Sequence, residues 1–282
     1  MPGTLFVVAT PIGNLEDITL RALRILREVA IIAAEDTRRT SHLLARHAIA
    51  TPTTSLHEHN ERQKAPSLIR RLRAGESIAI VSDAGTPGIS DPGTHLVRLA
   101  IDAGVRVEPV PGPSAIMAAL SVMGRQTNSF VFLGFPPVRS KDRQDWLERL
   151  SRAGSLAVLF EAPHRIEQTM NDIRAIAGEC EVLVGRELTK THEQLVIGQI
   201  SEVISRLKEG RGEYTVVVDI GQTQDRAPAE RPNPDAVAAE FGEMTKSGSK
   251  SRRSAMSALA KRHGISVNEV YSMLEMAKKS IE

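Results

Sequence analysis

Ile78-Ala79-Ile80-Val81, running into Ser82-Asp83-Ala84-Gly85-Thr86-Pro87-Gly88-Ile89-Ser90-Asp91-Pro92-Gly93, is the stretch on which the fold turns. Four unbroken apolar residues read as a strand buried on both faces, as strands are inside parallel sheets. The segment after them breaks the chain repeatedly with Gly and Pro. It predicts a rigid loop at a strand C-terminus whose backbone amides and carbonyls lie open to a ligand with a ribose, a carboxylate and an amine. An ordinary connection is the alternative.

The same rhythm extends in both directions. Thr4–Ala9, Ile31–Ala34, Ser77–Val81, Arg106–Val110, Phe130–Leu133, Leu156–Phe160, Glu181–Val184 and Tyr214–Val218 are strand candidates. Between them fall helical patterns, among them Ser67–Arg73, Thr94–Ala103, Ser114–Val122 and Ile166–Ala177. A helix beginning near Asp17, with Asp17 as its N-cap, would bury Leu20, Leu23, Ile25, Leu26 and Val29 and turn Arg21, Arg24 and Arg27 to solvent. Such alternation predicts an α/β domain with substantial parallel pairing and ligands at the strand C-termini.

The β rhythm stops after Ile220. Gln222–Asp235, with Pro228, Pro232 and Pro234, has linker composition. Beyond it Ala236–Lys246, Ser251–Arg262 and Val267–Lys279 read as helices, Gly264 ending the second and Ser266 or Asn268 starting the third. From Phe241 to Glu282 eight Lys/Arg face four Asp/Glu, a surplus of +4 in a chain of net charge +2. That asymmetry suggests a polyanionic partner, or else a solvated basic face.

Composition sets limits. Aromatics at 3% argue against a nucleic-acid surface built on many stacking rings. No apolar run is long enough to span a membrane, and the N-terminus has no basic segment of a signal peptide. The lone Cys180 excludes an internal disulfide and a Cys-rich zinc site. A cytoplasmic location is expected.

Two further loops follow strands: Thr10-Pro11-Ile12-Gly13-Asn14, and Val110-Pro111-Gly112-Pro113-Ser114-Ala115, where Pro113 suits a first helical turn. The first contains no dinucleotide or P-loop fingerprint, which weighs against NAD, FAD, ATP and GTP. His57-Glu58-His59 could offer two imidazoles to a metal, but no third ligand has recognisable spacing and no metal is expected.

Val7 to Asp17, Ala34-Glu35-Asp36-Thr37-Arg38, Val81 to Gly93 and Phe160-Glu161-Ala162-Pro163-His164-Arg165, in that order, resemble the bacterial small-subunit ribosomal RNA methyltransferase I family of the tetrapyrrole-methylase-type superfamily. The resemblance runs from about Gly3 to Ile220. It implies two α/β subdomains, 1–112 and 113–221, with a cofactor cleft between them, then the linker at 222–235 and a basic helix-turn-helix-like module at 236–282. It implies S-adenosylmethionine as cofactor, held by Pro11, Asp83, Gly85, Thr86, Ile89, Ser114, Ala115, Phe160, Ala162, Tyr214 and Thr215, with Glu213 beside them. The implied reaction is 2′-O-methylation of a cytidine ribose in small-subunit rRNA, with the small subunit as partner and a homodimer as assembly.

Candidates for activating the hydroxyl are Asp36, Glu161 and His164, with Glu35 beside them; the residues do not choose among these. Arg38 and Arg165 could position charge. RNA-phosphate candidates are Arg38, Arg39, Lys250, Arg252 and Arg253, with Lys141 and Arg143. A tetrapyrrole acceptor, or a non-catalytic RNA-binding protein retaining the cleft, are the competing readings.

Overall fold

Thr4–Val8 (β1), Ile31–Ala34 (β2), Thr53–Ser55 (β3), Ile78–Val81 (β4) and Arg106–Val110 (β5) form one sheet of order β3-β2-β4-β1-β5. Every pair in it is parallel. The computed structural model describes residues 2–207, 212–221, 234–246, 252–263, 270, 271, 273, 274 and 277. β4 is buried at all four positions because helices cover both faces of the sheet. Leu20–Glu28 (α1) and Thr37–Arg46 (α2) cover one face through Ile25, Leu26, Leu43 and Leu44. Glu61–Arg73 (α3) and Thr94–Asp102 (α4) cover the other through Leu68, Leu72, Leu96 and Ala100.

Three local expectations are corrected here. Asp17 lies in a short 3-10 turn, Leu15–Asp17; the cap of α1 is Thr19, whose hydroxyl accepts the Ala22 N–H at 3.1 Å. Leu20, at the first position of α1, points outward and is 86% exposed, while Ala22 takes its place in the core. α3 begins at Glu61 and runs through Pro66, because Ala65, Leu68, Ile69 and Leu72 bury one continuous face on both sides of the proline.

Ala115–Val122 (α5) leads into the second sheet, formed by Phe130–Phe132 (β6), Leu156–Glu161 (β7), Glu181–Arg186 (β8), Gln194–Gln199 (β9) and Tyr214–Asp219 (β10). Its order is β6-β7-β10-β8-β9. Only β6–β7 is parallel; β7–β10, β10–β8 and β8–β9 are antiparallel, so the parallel alternation stops at the middle of the chain. β8 and β9 make a hairpin, whose edge strand β9 is too exposed to carry a buried-strand signal. Ser140–Ser151 (α6), Ile166–Ala177 (α7) and Ile200–Arg206 (α8) pack on one face, around Trp146, Met170 and Val203. The opposite face takes α5, and its core includes Ile12 from the loop after β1 together with Leu188. Pro113 precedes Ser114, the cap of α5, and so stands outside the first turn.

Met1–Gly221 and Gln222–Glu282 are separate compact units. In the second, Pro234–Lys246 (α9) and Arg252–His263 (α10) pack through Val237, Leu259 and Ala260 with Val270 and Leu274. Val270, Tyr271, Met273, Leu274 and Ala277 fall in the third expected helix and are helical. Gly264, Ser266, Asn268 and Lys250 lie outside the described residues.

Candidate active site

The C-terminal ends of β1, β2, β4 and β5 meet at one edge of the parallel sheet, and their loops are tied by reciprocal bonds. Thr10 and Gly85 exchange backbone hydrogen bonds at 2.9 and 3.0 Å, bringing the loops after β1 and β4 together. Gly85 makes this turn at φ 74°, where a side chain would be strained. Asp83 accepts the Asp36 N–H at 3.0 Å on Oδ1, and its own N–H donates to Glu35 Oε2 at 3.2 Å. Asp83 Oδ2 stands 3.3 Å from Arg39.

The second half closes on this edge through the β8–β9 loop. Glu187 and Thr189 there have φ values of 51° and 66°, and Ser90 in the β4 loop has 64°. Non-glycine residues in this region are uncommon and held by their surroundings. Glu187 and Glu213 brace each other: the Glu187 N–H donates to Glu213 O and the Glu213 N–H to Glu187 Oε1, both at 3.0 Å. Thr189 Oγ1 accepts the Asn14 N–H at 3.0 Å. Gly13 sits beneath this crossing; a Cβ there would lie 2.8 Å from Leu188 O and 2.5 Å from Lys190 Cγ.

Between the halves lies a cavity of about 340 Å³. Of the residues expected at the cofactor, Gly85, Thr86, Ile89, Ser114, Ala115, Phe160, Tyr214 and Thr215 line it, and so do Glu161 and Glu213. Pro11 and Asp83 line instead an adjoining cavity of about 260 Å³, which shares Ile12, Ala84, Lys190 and Glu213 with the first. Ala162 lines neither and gives its N–H to Glu161 Oε1 at 2.7 Å. Sequence reasoning missed Asp91, Phe135, Glu187, Leu188 and Lys190. Phe135, half-exposed, stands with its ring centre 5.6 Å from that of Phe160. Its rarity was the available signal, since the chain has only six phenylalanines. Nothing in the hairpin loop distinguished Leu188 or Lys190.

The three catalytic candidates occupy different environments. Glu161 is buried at the cavity wall; Oε2 accepts from the Thr169 hydroxyl at 2.5 Å and Oε1 lies 3.5 Å from Arg165 Nε. Arg143, paired with Asp172 at 2.7 Å, continues the network by donating to Thr169 Oγ1 at 2.9 Å. Asp36 lines neither cavity: it caps α2 by accepting the Arg38 N–H at 2.8 Å and pairs with the Arg38 guanidinium. The Arg38 bonds hold its carboxyl down at about 2. His164 is exposed in the turn before α7 and lines neither cavity.

Other charges carry shifts. Burial, then the neighbouring Glu35 carboxylate, pushes Asp91 up to about 6. Burial likewise raises Glu35, against the opposing bond from the Asp83 backbone. For Lys190 burial acts downward, but the Glu187 bond at 2.9 Å and the field of Glu213 outweigh it and its pKa is raised. Among the phosphate candidates, Arg39 lines the second cavity, whereas Arg38 is exposed and paired with Asp36. Arg252 is exposed on α10, its guanidinium 5.9 Å from the Phe241 ring centre; the Arg253 side chain lies outside the described residues. Lys141 is exposed. His57 Nε2 is 2.8 Å from Asn60 Nδ2.

The profile of the Tetrapyrrole (Corrin/Porphyrin) Methylases matches residues 4–204. A ribosomal RNA small subunit methyltransferase I of Pseudomonas aeruginosa is 48% identical over 221 residues, 77% of this chain and 78% of the relative. The chain belongs to this family. The Thermotoga maritima member of the same name is 46% identical over 218 residues, 77% of this chain and 98% of its own. Solved structures of the same fold include diphthine synthase, at 15% identity and a TM-score of 0.62 over 77% of this chain and 90% of that one. A uroporphyrin-III C-methyltransferase of Thermus thermophilus complexed with S-adenyl homocysteine is 18% identical, with a TM-score of 0.57 over 77% and 98%.

The two sheets with both cavities thus belong to a methyltransferase of the rRNA small subunit methyltransferase I family. No described helix of this family member is long and apolar enough to cross a membrane.

Proposed function

We propose that the chain transfers a methyl group from S-adenosylmethionine to the ribose 2′-hydroxyl of a cytidine in small-subunit ribosomal RNA. The observation that carries the reading is the convergence of Gly85–Thr86, Ser114–Ala115 and Tyr214–Thr215 on one cavity, in a chain 48% identical to a relative of that name.

The donor set suits the cofactor. A cavity of about 340 Å³ falls in the range that takes a small ligand. Ile12, Ile116, Met117 and Phe160 offer an apolar wall to an adenine. Asp91, Glu161, Glu187 and Glu213 put carboxylates around the space a sulfonium and an ammonium would occupy. S-adenosylmethionine supplies an electrophilic methyl carbon there. The residues' work is to hold the acceptor oxygen in line with the breaking bond, from which much of the acceleration in a displacement comes.

Glu161 acts in this reading as a positioning residue at the cavity wall, its oxygens already committed to Ala162, Thr169 and Arg165. Asp36, ionised down to about 2 and engaged with Arg38, serves as a helix cap and is too weak a base to take the hydroxyl proton. His164 faces solvent. Residues 1–112 and 113–221 act as the two subdomains, Arg252 and the neighbouring Lys250 and Arg253 as phosphate contacts, and the enzyme works as a cytoplasmic homodimer.

Incubation with radiolabelled S-adenosylmethionine and either small ribosomal subunits or a tetrapyrrole tests the reading. Label on a cytidine ribose of the subunit RNA is expected. Label confined to the tetrapyrrole, or none on either, overturns it.

A further inference from the structure

The cavity beside the cofactor space has a chemistry of its own. It is framed by the loop after β1, the first turns of α2 and the end of β4. Lys190 lines both cavities, but of the two only this one has Arg39 and His42, beside the carboxylates Asp83 and Glu213 and the apolar Leu15 and Leu43. Arg39 and His42 are three apart on α2 and so share a face. Arg39 remains 64% exposed despite its pair with Asp83, and His42 is exposed too, leaving donor capacity for a ligand. His42 is also the only aromatic ring in the cavity lining.

Of the lining hydroxyls, Thr40 is buried and the other two are engaged within the loops. Thr10 Oγ1 donates to Ser82 O at 3.1 Å and Ser82 Oγ to Ala84 O at 3.2 Å, so both are committed within the loops. Arg39, His42 and Lys190 supply the donors for a polar ligand, the lining carboxylates Asp83 and Glu213 being paired with Arg39 and Lys190. A guanidinium is suited to two oxygens of one phosphate, and an imidazole can donate to a third or stack on a base. A methyl acceptor must come within bonding distance of the methyl carbon, from a space open to the cofactor cavity. The two cavities adjoin at Ile12, Ala84, Lys190 and Glu213, which line both.

We infer that this second cavity is the acceptor subsite, holding one ribose-phosphate unit of an unpaired RNA strand, with Arg39 and His42 on the phosphate and Lys190 at the junction with the cofactor cavity. The inference rests on the proposed function and deepens it. In the step it serves, the 2′-oxygen forms a bond to the methyl carbon as the carbon–sulfur bond breaks. The electron pair passes to sulfur, which becomes a neutral thioether, and the hydroxyl proton leaves to water. Arg38 stands apart from this subsite, its guanidinium tied to Asp36 outside the cavity.

The test is steady-state methylation of small subunits by wild-type enzyme, Arg39→Ala/His42→Ala and the control Arg24→Ala, an exposed arginine on α1 paired with Glu28, with S-adenosyl homocysteine binding measured by calorimetry for each. The double variant is expected to raise KM for subunits by about tenfold or more, from the loss of charge-assisted bonds. It should also reduce the slope of log KM against log salt by about one. Its S-adenosyl homocysteine affinity should stay within about twofold of wild type, while Arg24→Ala keeps a wild-type KM. A wild-type KM and salt slope in the double variant overturn the subsite, as does an equal effect of Arg24→Ala. If the double variant fails to fold, Arg39→Gln with His42→Gln replaces it under the same criteria. Failure of the wild-type enzyme to methylate subunits would instead strike at the proposed function, and is read separately.

Discussion

Replacing Gly13 by alanine puts a methyl group where the two halves of the first unit touch. The new Cβ would lie 2.8 Å from Leu188 O and Thr189 Oγ1 and 2.5 Å from Lys190 Cγ, whereas ordinary contact begins at 3.4 Å. The lysine can swing aside, but the Leu188 carbonyl is backbone, pinned between residues already held at positive φ. The loops must therefore part by at least the difference, about 0.6 Å. That stretches the Asn14–Thr189 bond and shifts Ile12 and Leu188, which line the cofactor cavity. Overpacking of this kind costs about 1–3 kcal/mol. For a unit of this size that is a fall in Tm of roughly 2–12 °C. Misplacement by a fraction of an ångström also acts on the chemistry, where about 1 Å can cost a hundredfold. Differential scanning fluorimetry, S-adenosyl homocysteine calorimetry and subunit methylation read the three effects. Gly13→Ala protein with wild-type Tm, affinity and rate would refute the claim that this crossing sets the width of the cavity.

Four other outcomes are expected. Glu161→Ala leaves Thr169 and Arg165 without their buried acceptor and should lower stability by about 3 kcal/mol, measured by urea denaturation; a loss below about 1 kcal/mol would show the network to be dispensable. Asp91 is neutral below about pH 6 and anionic above it, so affinity for the cationic S-adenosylmethionine should rise from pH 5 to 7 while that for S-adenosyl homocysteine changes less, and Asp91→Asn should flatten the difference. Because this carboxyl is raised in the folded protein, its contribution to stability is present below its unfolded value and lost as pH rises through about 6, so chemical denaturation should find Asp91→Asn more stable than wild type at pH 7. Thr19→Ala removes the cap of α1 and should cost about 1 kcal/mol in the same assay, with methylation unchanged.

Much of this architecture was legible because buried parallel strands leave unbroken apolar runs. β4 and the loop behind it could be read from residues 78–93 alone. The antiparallel order of the second sheet was not legible, since Leu183-Val184 and Val216-Val217 look the same whichever way a neighbour runs. β3 escaped because Thr53–Ser55 is short and polar, and α6 because only Trp146, Leu147 and Leu150 of its length are buried. At the site, strand-end positions such as Gly85, Ser114 and Tyr214 were found through motifs. Leu188 and Lys190 were not: a hairpin loop has no period, and these two matter only because Gly13 admits them.

The reciprocal bonds among Glu35, Asp36 and Asp83 have a consequence for how this protein can change. Asp83 takes a bond from the backbone of residue 36 and gives one to the side chain of Glu35. Removing either carboxylate strands a backbone N–H on the other loop, so a double-mutant cycle between Glu35→Ala and Asp83→Ala should be strongly non-additive. The two positions then form one inherited character. A descendant that exchanges the first residue has already altered which residues it can accept at the second.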